Sequence, residues 1–393
     1  MNPQKPHLTF AAHQLEMAQI AYEHLLTRGG GRRWLHVGSG DSDLAAWVRR
    51  SARRMNIVWD VIKADDARSA ADEAAHLFID GNELPADVFA QLLSRLATRV
   101  EFSIVCGTGF HQSGAHRHSL LSVFPGRISL VASTVWWAQP EFPALPKQTR
   151  GAVLVPCFQD TWRVEQNLAW RPELVAGLDV HIFDDNFAPG EMDRLSAVAR
   201  ACGWHYHQSG LGEHEDFTAR RMEFADYNWF IWKSLTSLAD DYDFVVKVDT
   251  DACLLNPDWW HELAARLQGR DAMLGTFDLR PMYEVAYFWH VAWQNGYSPP
   301  VPAYPLHLQG GIYAISQGAL LKFREMGFLP GPHHDFTEDG YMSYCAQLLG
   351  IEMLPATTIG AWTSLKRPPL DNISHLKAIH PLMQREWPVP VAT

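Results

Sequence analysis

The feature that most constrains this chain is an apolar run that ends abruptly in carboxylates. In the stretch YDFVVKVDTDACLLNPDWW, Phe244 to Val248 form the run, and Asp249-Thr250-Asp251 follow at once. Carboxylates at the end of a buried strand are costly unless a partner compensates their charge, and a metal ion is the usual partner. Because side chains alternate along a strand, Asp249 and Asp251 point the same way and can share one cation. Oxygen ligands favour Mg²⁺ or Mn²⁺; the alternative is a solvated turn before the next helix.

Strand-like and helical segments alternate along two parts of the chain, which predicts an α/β fold. In residues 1–140, short apolar runs such as MNIVWDVIKADD and GRISLVAST alternate with helical periodicity, and we expect a Rossmann-like domain with a parallel sheet. Residues 141–150 contain prolines without periodicity and are the expected linker. A second α/β domain is expected over residues 151–393, with loops between residues 281 and 308. The spacing of Tyr283, Tyr287 and Trp293 in that segment also suits a helix that packs on the core, which is the alternative.

Composition and charge narrow the classes of function. The chain has 393 residues and a formal net charge of −11, and the negative excess lies entirely in residues 151–393. An acidic second half argues against a nucleic-acid partner, which would require a basic face, and it fits a site where a cation meets phosphate. Five scattered cysteines, no long apolar run and no signal-like N-terminus predict a cytoplasmic protein.

Two further pairs extend the site that the strand-end carboxylates predict. Asp184-Asp185 end the apolar segment VHIFDDNF, where a carboxylate could accept hydrogen bonds from a base or a ribose hydroxyl. Gly310-Gly311 in HLQGGIYAIS would let the backbone approach a ligand closely. Ordinary turns are the alternative at both pairs. In open α/β sheets, ligands bind beyond the carboxyl ends of the strands, so polar strand ends are expected to converge there.

Two segments nearer the C-terminus carry groups suited to proton transfer and metal binding. HHDFTEDGYMSYCAQLLG places Glu338-Asp339 at the start of an amphipathic helix, where a carboxylate could take the proton of an attacking hydroxyl. Acids at this position also complement the helix dipole, which is the simpler interpretation. NISHLKAIHP offers His375 or His380 as a nitrogen ligand, with a structural histidine as the alternative.

The order of these segments resembles the GT-A fold glycosyltransferases. A strand-end DxD is followed by a GG-x-Y-x-[IL]-S segment, a Glu-Asp pair opening a helix, and a histidine near the C-terminus. The resemblance covers roughly residues 151–385, and the nearest group is the β-1,3-galactosyltransferase and fringe-like set. It implies an enzyme that transfers a sugar from a nucleotide diphosphate donor, a UDP-sugar, to a hydroxyl of a glycan or lipid-linked glycan, with Mn²⁺ or Mg²⁺ as cofactor.

The resemblance also implies roles for individual residues. Asp249 would face the ribose or the metal, and Asp251 would ligate the metal that holds the diphosphate. One of His375 and His380 would complete the coordination of that metal. The implied donor contacts are those of Asp184 or Asp185 with the uridine or ribose, and those of Gly310 and Gly311 with the donor sugar.

The same resemblance implies an inverting displacement in which Asp339, with Glu338 in second place, is the catalytic base; without a positioned base the transfer would be retaining. Golgi members of the family carry a membrane anchor and disulfides that this sequence does not display, which points to a cytoplasmic enzyme. Two rival functions stay open. A sugar nucleotidyltransferase would need a Gly-rich loop that PCFQDTWR lacks. A non-catalytic glycan-binding module predicts loss of a metal ligand or of the base, yet Asp249, Asp251, Asp339 and both histidines are present.

The N-terminal part carries weaker signals. WLHVGSGDSD resembles the first Gly-rich turn of S-adenosylmethionine-dependent methyltransferases, with Asp60, Asp65 or Asp66 as the acid after the next strand. A non-catalytic domain is the favoured interpretation, and a second, methyltransferase activity is the alternative. Arginines between residues 49 and 54 could form a basic helical face that contacts the inner face of a membrane, or one that is simply solvated. The oligomeric state does not follow from the sequence.

Overall fold

The computed structural model divides the chain into two compact units. One consists of residues 1–141 with 277–279, and the other of residues 142–276 with 280–393. The expected domain boundaries, 1–140 and 151–393, stay a prediction. The residues that the structure describes are 34–37, 53, 58–62, 76–79, 84–96, 103–106, 128–131, 135–138, 149–158, 160–186, 188–208, 224–279, 282–298, 306–329, 337–356, 358–362 and 378–381.

A mixed sheet and one helix, α1 (Ala86–Leu96), form the described part of the first unit. Its strands are β1 (Trp34–Val37), β2 (Trp59–Ile62), β3 (His76–Ile79), β4 (Ser103–Cys106), β5 (Ile128–Val131) and β6 (Val135–Ala138). Their order is β2-β1-β3-β4-β6-β5, with β1 to β4 parallel and β6 antiparallel to both β4 and β5. The expected all-parallel Rossmann sheet is not confirmed, because the connection from β5 to β6 is too short for a crossover and closes a hairpin.

Two sheets form the framework of the second unit. Their strands are β7 (Gly151–Cys157), β8 (Leu178–Asp184), β9 (His205–Gln208), β10 (Phe244–Val248), β11 (Cys253–Leu254), β12 (Ala272–Leu279), β13 (Leu306–Ser316), β14 (Glu352–Pro355), β15 (Ile359–Trp362) and β16 (Ala378–Pro381). The large sheet has the order β14-β12-β13-β10-β7-β8-β9, and the small one β11-β16-β15. In the large sheet β10, β7, β8 and β9 are parallel, while β13 is antiparallel to β10.

The central strands of the large sheet are buried on both faces. Every residue of β7 and β10 is buried, as expected for parallel strands that are covered on both sides. The two strands pack so closely that a Cβ added at Gly151 would lie 2.3 Å from the ring of Phe244. This close approach requires glycine at the first position of β7, and it places the carboxyl ends of β7 and β10 side by side.

Helices and helical turns connect these strands. Pro189 begins the helix after β8 at its first turn, and Gly203, with φ +72°, ends it in the left-handed conformation. Within the described residues, no helix is long and apolar enough to cross a membrane. The helices are α2 (Thr161–Val164, continued by the π-helical turn Glu165–Ala169), α3 (Pro189–Cys202), α4 (Phe224–Ser237), α5 (His261–Leu267), α6 (Met282–Gln294), α7 (Gln317–Met326) and α8 (Glu338–Leu348).

Helix α6 corrects the expectation of loops between residues 281 and 308. Val285, Phe288 and Ala292 are buried, and their spacing is that of one helix face. The rings of Phe288 and Tyr344 of α8 lie 5.3 Å apart between centroids, so α6 packs on α8. The structure thus has the helical alternative that the aromatic spacing of this segment allows.

Candidate active site

Three parallel strands end side by side at one edge of the large sheet. β7 lies between β10 and β8, and all three run in the same direction. Polar residues come at or just after each strand end: Asp160 after β7, Asp184 and Asp185 at β8, and Asp249 and Asp251 after β10. The strand ends that the sequence marks as polar therefore lie at one edge of one sheet.

A cavity of about 280 Å³ lies at these strand ends. Four carboxylates line it, those of Asp160, Asp185, Asp249 and Asp251, and Arg163 is the single cation among its described lining residues. This excess of carboxylates gives the cavity the charge of a cation-binding site. The remaining lining residues are Pro156, Cys157, Phe158, Tyr227, Phe230 and Thr250.

The segment Asp249-Thr250-Asp251, here named the carboxylate turn, follows β10 directly. The amide of Asp249 donates to the carbonyl of Gly311 at 2.9 Å, and the amide of Ala252 donates back to the carbonyl of Asp249 at 3.0 Å. Asp249 and Asp251 are half-buried, whereas Thr250 is buried. The turn thus presents two acidic side chains to the cavity from a backbone that is anchored on β13.

Asp184 and Asp185 have different surroundings. Asp184 is fully buried, and its carboxylate accepts hydrogen bonds from the backbone and side-chain nitrogens of Asn186, at 2.8 and 2.7 Å, and from the hydroxyl of Tyr206 at 2.5 Å. These bonds shape the turn after β8. Asp185 lines the cavity. Of the two residues that the sequence offers for the uridine or ribose contact, Asp185 is the better placed.

A buried lysine connects the carboxylate turn to the start of α8. Lys247, 1% exposed in the middle of β10, lies 2.6 Å from Asp249 Oδ1 and 3.4 Å from Glu338 Oε1, and it donates to the carbonyl of Gly310 at 2.5 Å. Burial alone would lower the pKa of Lys247, but the carboxylates of Asp249 and Glu338 raise it well above the ordinary value. Lys247 is therefore a permanent cation inside the fold.

Glu338 and Asp339, the acid pair, begin α8 and are nearly buried. Burial raises the pKa of Glu338 to about 7, an effect that Lys247 opposes and the charges of Asp339 and Asp249 strengthen. The Tyr313 hydroxyl also donates to Glu338 at 2.6 Å. The carboxylate of Asp339 accepts hydrogen bonds from the amides of Gly310 and Gly340 and from the Thr337 hydroxyl, and His307 Nε2 lies 3.4 Å from it.

The glycine pair lies against this acid pair. A Cβ added at Gly310 would be 2.9 Å from Glu338 Oε2 and 3.3 Å from the Cβ of Asp339. The missing side chain at Gly310 is what allows α8 to approach β13 this closely. Gly311 contributes its carbonyl to the carboxylate turn. The expected contact of the two glycines with the donor sugar stays a prediction.

The two histidine candidates differ in what is known of their position. His375 lies outside the described residues. His380 lies in β16, which pairs with β11 so that Ile379 is opposite Cys253. Because Cys253 comes two residues after Asp251, the backbone of His380 belongs to a strand that is paired directly beyond the carboxylate turn. Which of the two histidines would ligate a metal stays a prediction.

Three residues at the site were not predicted from the sequence: Asp160, Asn167 and Lys247. Lys247 had a signal, because a charged residue in the centre of the apolar run FVVKV must find a buried partner. Asp160 lies in the polar turn that ends VLVPCFQD, but its contact with Thr250 had no signal, and neither had that of Asn167, since each joins residues more than eighty positions apart. Only the pairing of β7 with β10 brings those contacts about.

A metal ion is the cofactor that the strand-end carboxylates imply. Within the described residues, no group of three or more His, Cys, Asp or Glu side chains is arranged to hold a metal ion. The donors that line the cavity nevertheless fit a hard divalent cation, because Asp185, Asp249 and Asp251 offer carboxylate oxygens to one space.

Comparisons with known proteins find similarity at the level of structure. No protein-family model and no curated protein matches the chain. Among solved structures, the crystal structure of mouse xyloside xylosyltransferase 1 in its apo form is similar, with a TM-score of 0.35 and 11% sequence identity. The match covers 59% of this chain and 98% of that chain. The structural neighbour is a glycosyltransferase, but at this distance the match carries no argument about function or about the fringe-like group.

Proposed function

We propose that the second unit is a metal-dependent glycosyltransferase, which moves a sugar from a nucleotide diphosphate donor, a UDP-sugar, to a hydroxyl of a glycan or lipid-linked glycan. The observation that carries this proposal is the acidic cavity at the ends of β7, β8 and β10, with the carboxylate turn in its lining. Sugar transfer from such a donor leaves a charged diphosphate, and acidic side chains can hold that group only through a cation.

Asp251, Asp249 and His380 are the proposed ligands of Mn²⁺ or Mg²⁺. When bound, the cation would offset the charge of the leaving diphosphate. Asp251 is proposed as the principal ligand, because Asp249 shares its carboxylate with Lys247. Arg163 is proposed to bind the phosphates: its guanidinium is held over the ring of Trp162 at 5.1 Å and lies on the cavity lining.

The acid pair is proposed to supply the base that takes the proton of the acceptor hydroxyl. Asp339 is the first candidate, since three hydrogen-bond donors hold its carboxylate in one orientation. Glu338 is the second, since a pKa of about 7 suits proton transfer near neutral pH. Lys247 links this pair to the cavity through Asp249. A base on this side of the site supports inverting transfer.

Calorimetric titration of UDP into the full chain, with and without Mn²⁺, tests the proposal. We expect the wild type to bind UDP only when Mn²⁺ is present. Asp251→Asn keeps the size of the side chain but removes its charge, so it should abolish this binding. Arg163→Gln should weaken UDP binding at least tenfold and leave uridine binding unchanged, because uridine carries no phosphate.

Asp240→Asn is the matched control. Asp240 is an exposed carboxylate of the same unit, paired with Arg324, and it lies outside the cavity lining. Its substitution should leave UDP binding unchanged. Equal binding by the wild type and Asp251→Asn, or no binding of UDP or another nucleotide diphosphate by the wild type with Mn²⁺, would contradict the proposal.

A further inference from the structure

We infer that Asp160 and Asn167 are positioning residues, which orient the carboxylate turn by holding the hydroxyl and the carbonyl of Thr250. The inference rests on the proposed function, because it gives these residues a task around the proposed metal ligands Asp249 and Asp251. The inference concerns Thr250, the middle residue of the turn. Its side chain carries no charge, so metal binding alone would not require a threonine at this position.

Thr250 is held by its hydroxyl and by its carbonyl. The hydroxyl donates to Asp160 Oδ2, and Asn167 Nδ2 donates to the carbonyl of Thr250 at 2.7 Å. Both partners belong to the segment that follows β7, and Thr250 is only 4% exposed. The two bonds therefore tie the turn that follows β10 to the segment that follows the neighbouring strand, β7.

Asp160 is itself anchored. Its Oδ1 accepts from the amide of Phe158 at 2.9 Å and from Cys157 Sγ at 3.3 Å, and Arg163 lies 3.7 Å from Oδ2. Cys157 is the last residue of β7. The carboxylate of Asp160 thus has a fixed place at the end of this strand, and Thr250 takes its position from it.

The opposite side of the turn is anchored on β13, through the bond from the amide of Asp249 to the carbonyl of Gly311. Thr250 lies between the two acidic residues, so fixing its side chain and its carbonyl limits the directions that both carboxylates can take. Residues that orient metal ligands typically change metal affinity by about 10–100-fold when they are replaced. The same range is expected here.

A matched pair of variants at Thr250 tests the inference. Thr250→Val keeps the shape of the side chain and removes the hydroxyl, whereas Thr250→Ser keeps the hydroxyl and removes the methyl group. Titration of Mn²⁺ into the full chain with UDP, followed by electron paramagnetic resonance, should give at least tenfold weaker binding for Thr250→Val and near wild-type binding for Thr250→Ser. Thr236→Val is the control, because it removes a buried hydroxyl that donates within α4, outside the cavity lining.

Variants of Asn167 keep the test decisive if Thr250→Val fails to fold. Asn167 is half-buried, so Asn167→Ala should leave the circular dichroism spectrum unchanged and weaken Mn²⁺ binding about tenfold. Asn167→Asp should weaken it further, because an acceptor then faces the carbonyl of Thr250. If folded Thr250→Val and Asn167→Ala bind Mn²⁺ as tightly as the wild type does, this inference is wrong, while the proposed function is unaffected. Absence of Mn²⁺–UDP binding by the wild type would overturn the proposed function with it.

Discussion

Asp249 and Asp251 lie half-buried on an open cavity, whereas Glu338 and Asp339 lie 6% and 7% exposed behind Lys247. Both groups are pairs of acids within one unit, and one member of each, Asp249 and Glu338, lies against Lys247 Nζ, at 2.6 and 3.4 Å. Their partners differ. The buried pair is surrounded by donors of the protein itself, while the turn presents its carboxylates to a space large enough for a ligand.

The comparison separates acids whose charge is satisfied by the protein's own donors from acids whose carboxylates face an open cavity. A buried carboxylate without a donor would cost several kcal/mol, so the donors around Glu338 and Asp339 are required whether or not a substrate binds. Carboxylates on an open cavity carry no such requirement, since water and ions can reach them. Lys247 belongs to both groups, because it contacts Asp249 and Glu338.

The largest expected effect comes from removing the shared cation. Lys247→Met keeps the length of the side chain but leaves the carboxylates of Asp249 and Glu338 without their buried partner. We expect a loss of about 3–5 kcal/mol in the free energy of unfolding, measured by urea denaturation at pH 8. The double variant Lys247→Met with Glu338→Gln should recover part of this loss, because it removes one of the stranded charges.

The control for this variant is Lys233→Met. Lys233 is exposed and lies over the ring of Trp229, so its loss should change the stability by less than about 1 kcal/mol. If Lys247→Met is no more destabilised than Lys233→Met, the two acid groups are not joined by a buried cation, and the comparison fails.

The pH dependence of stability sharpens the description of the buried pair. The pKa of Glu338 is raised to about 7 from an ordinary value of 4.5, so the folded protein holds a proton that the unfolded chain releases between these two pH values. The stability that this proton contributes is complete below pH 4.5 and is lost as the pH rises through 7. Glu338→Gln should remove this loss, which is on the order of 2–3 kcal/mol.

Urea denaturation of the wild type and Glu338→Gln at several pH values between 4.5 and 8 measures the difference. Glu325→Gln, on the exposed face of α7, serves as the control. The stability of Glu338→Gln relative to the wild type should increase with pH. A difference that stays constant over this range would mean that Glu338 is ionised throughout, like an acid on an open surface.

Close packing against the acid pair gives a smaller effect. Gly310→Ala would place a Cβ 2.9 Å from Glu338 Oε2, so α8 or the glutamate must shift, at a cost of about 1–2 kcal/mol. Gly190→Ala, in the first turn of α3, has nothing within 4 Å of the added Cβ and is the control. Thermal unfolding of the two variants should differ accordingly; equal melting temperatures would show that the space beside Glu338 is not needed.

The sequence predicts those parts of the fold in which the pattern of apolar residues matches the burial of the element in the folded protein. β7, β8 and β10 stand out as apolar runs because parallel strands at the centre of a sheet are buried on both faces. The hairpin of β5 and β6 was missed because two short apolar runs do not reveal their relative direction. Between residues 281 and 308 the sequence leaves loops and a packed helix as alternatives, because aromatic residues such as Phe288 and Trp289 suit either, and the structure has helix α6 there.

In the candidate site, too, the sequence reveals what local pattern determines and does not reveal what depends on neighbouring strands. Asp185, Asp249 and Asp251 could be selected because each follows a strand directly, and strand ends converge in this class of fold. The contacts of Asp160 and Asn167 with Thr250 could not, since they depend on which strands are neighbours in the sheet. Asp184 was offered together with Asp185, and only the hydrogen bonds to Asn186 and Tyr206 distinguish the two.

The smallest effect expected concerns a buried base and should have the opposite sign to that of Glu338. On β8, burial lowers the pKa of His181 to about 4, with the charges of His205 and His207 adding to the shift and Asp179 opposing it. Between pH 6.5 and 4 the unfolded chain binds a proton that the folded protein excludes, so stability is lost as the pH falls through this window. Over the first pH unit of this window, from pH 6.5 down to about 5.5, His181→Asn should reduce this acid-induced loss by on the order of 1 kcal/mol, while His290→Asn, at an exposed position of α6, should not. Urea denaturation of Glu338→Gln and of the double variant Glu338→Gln with His181→Asn measures the two slopes separately. If the double variant loses as much stability on acidification as Glu338→Gln does, a group other than His181 causes this loss. The pH dependence assigned to Glu338 must then be measured against that other group.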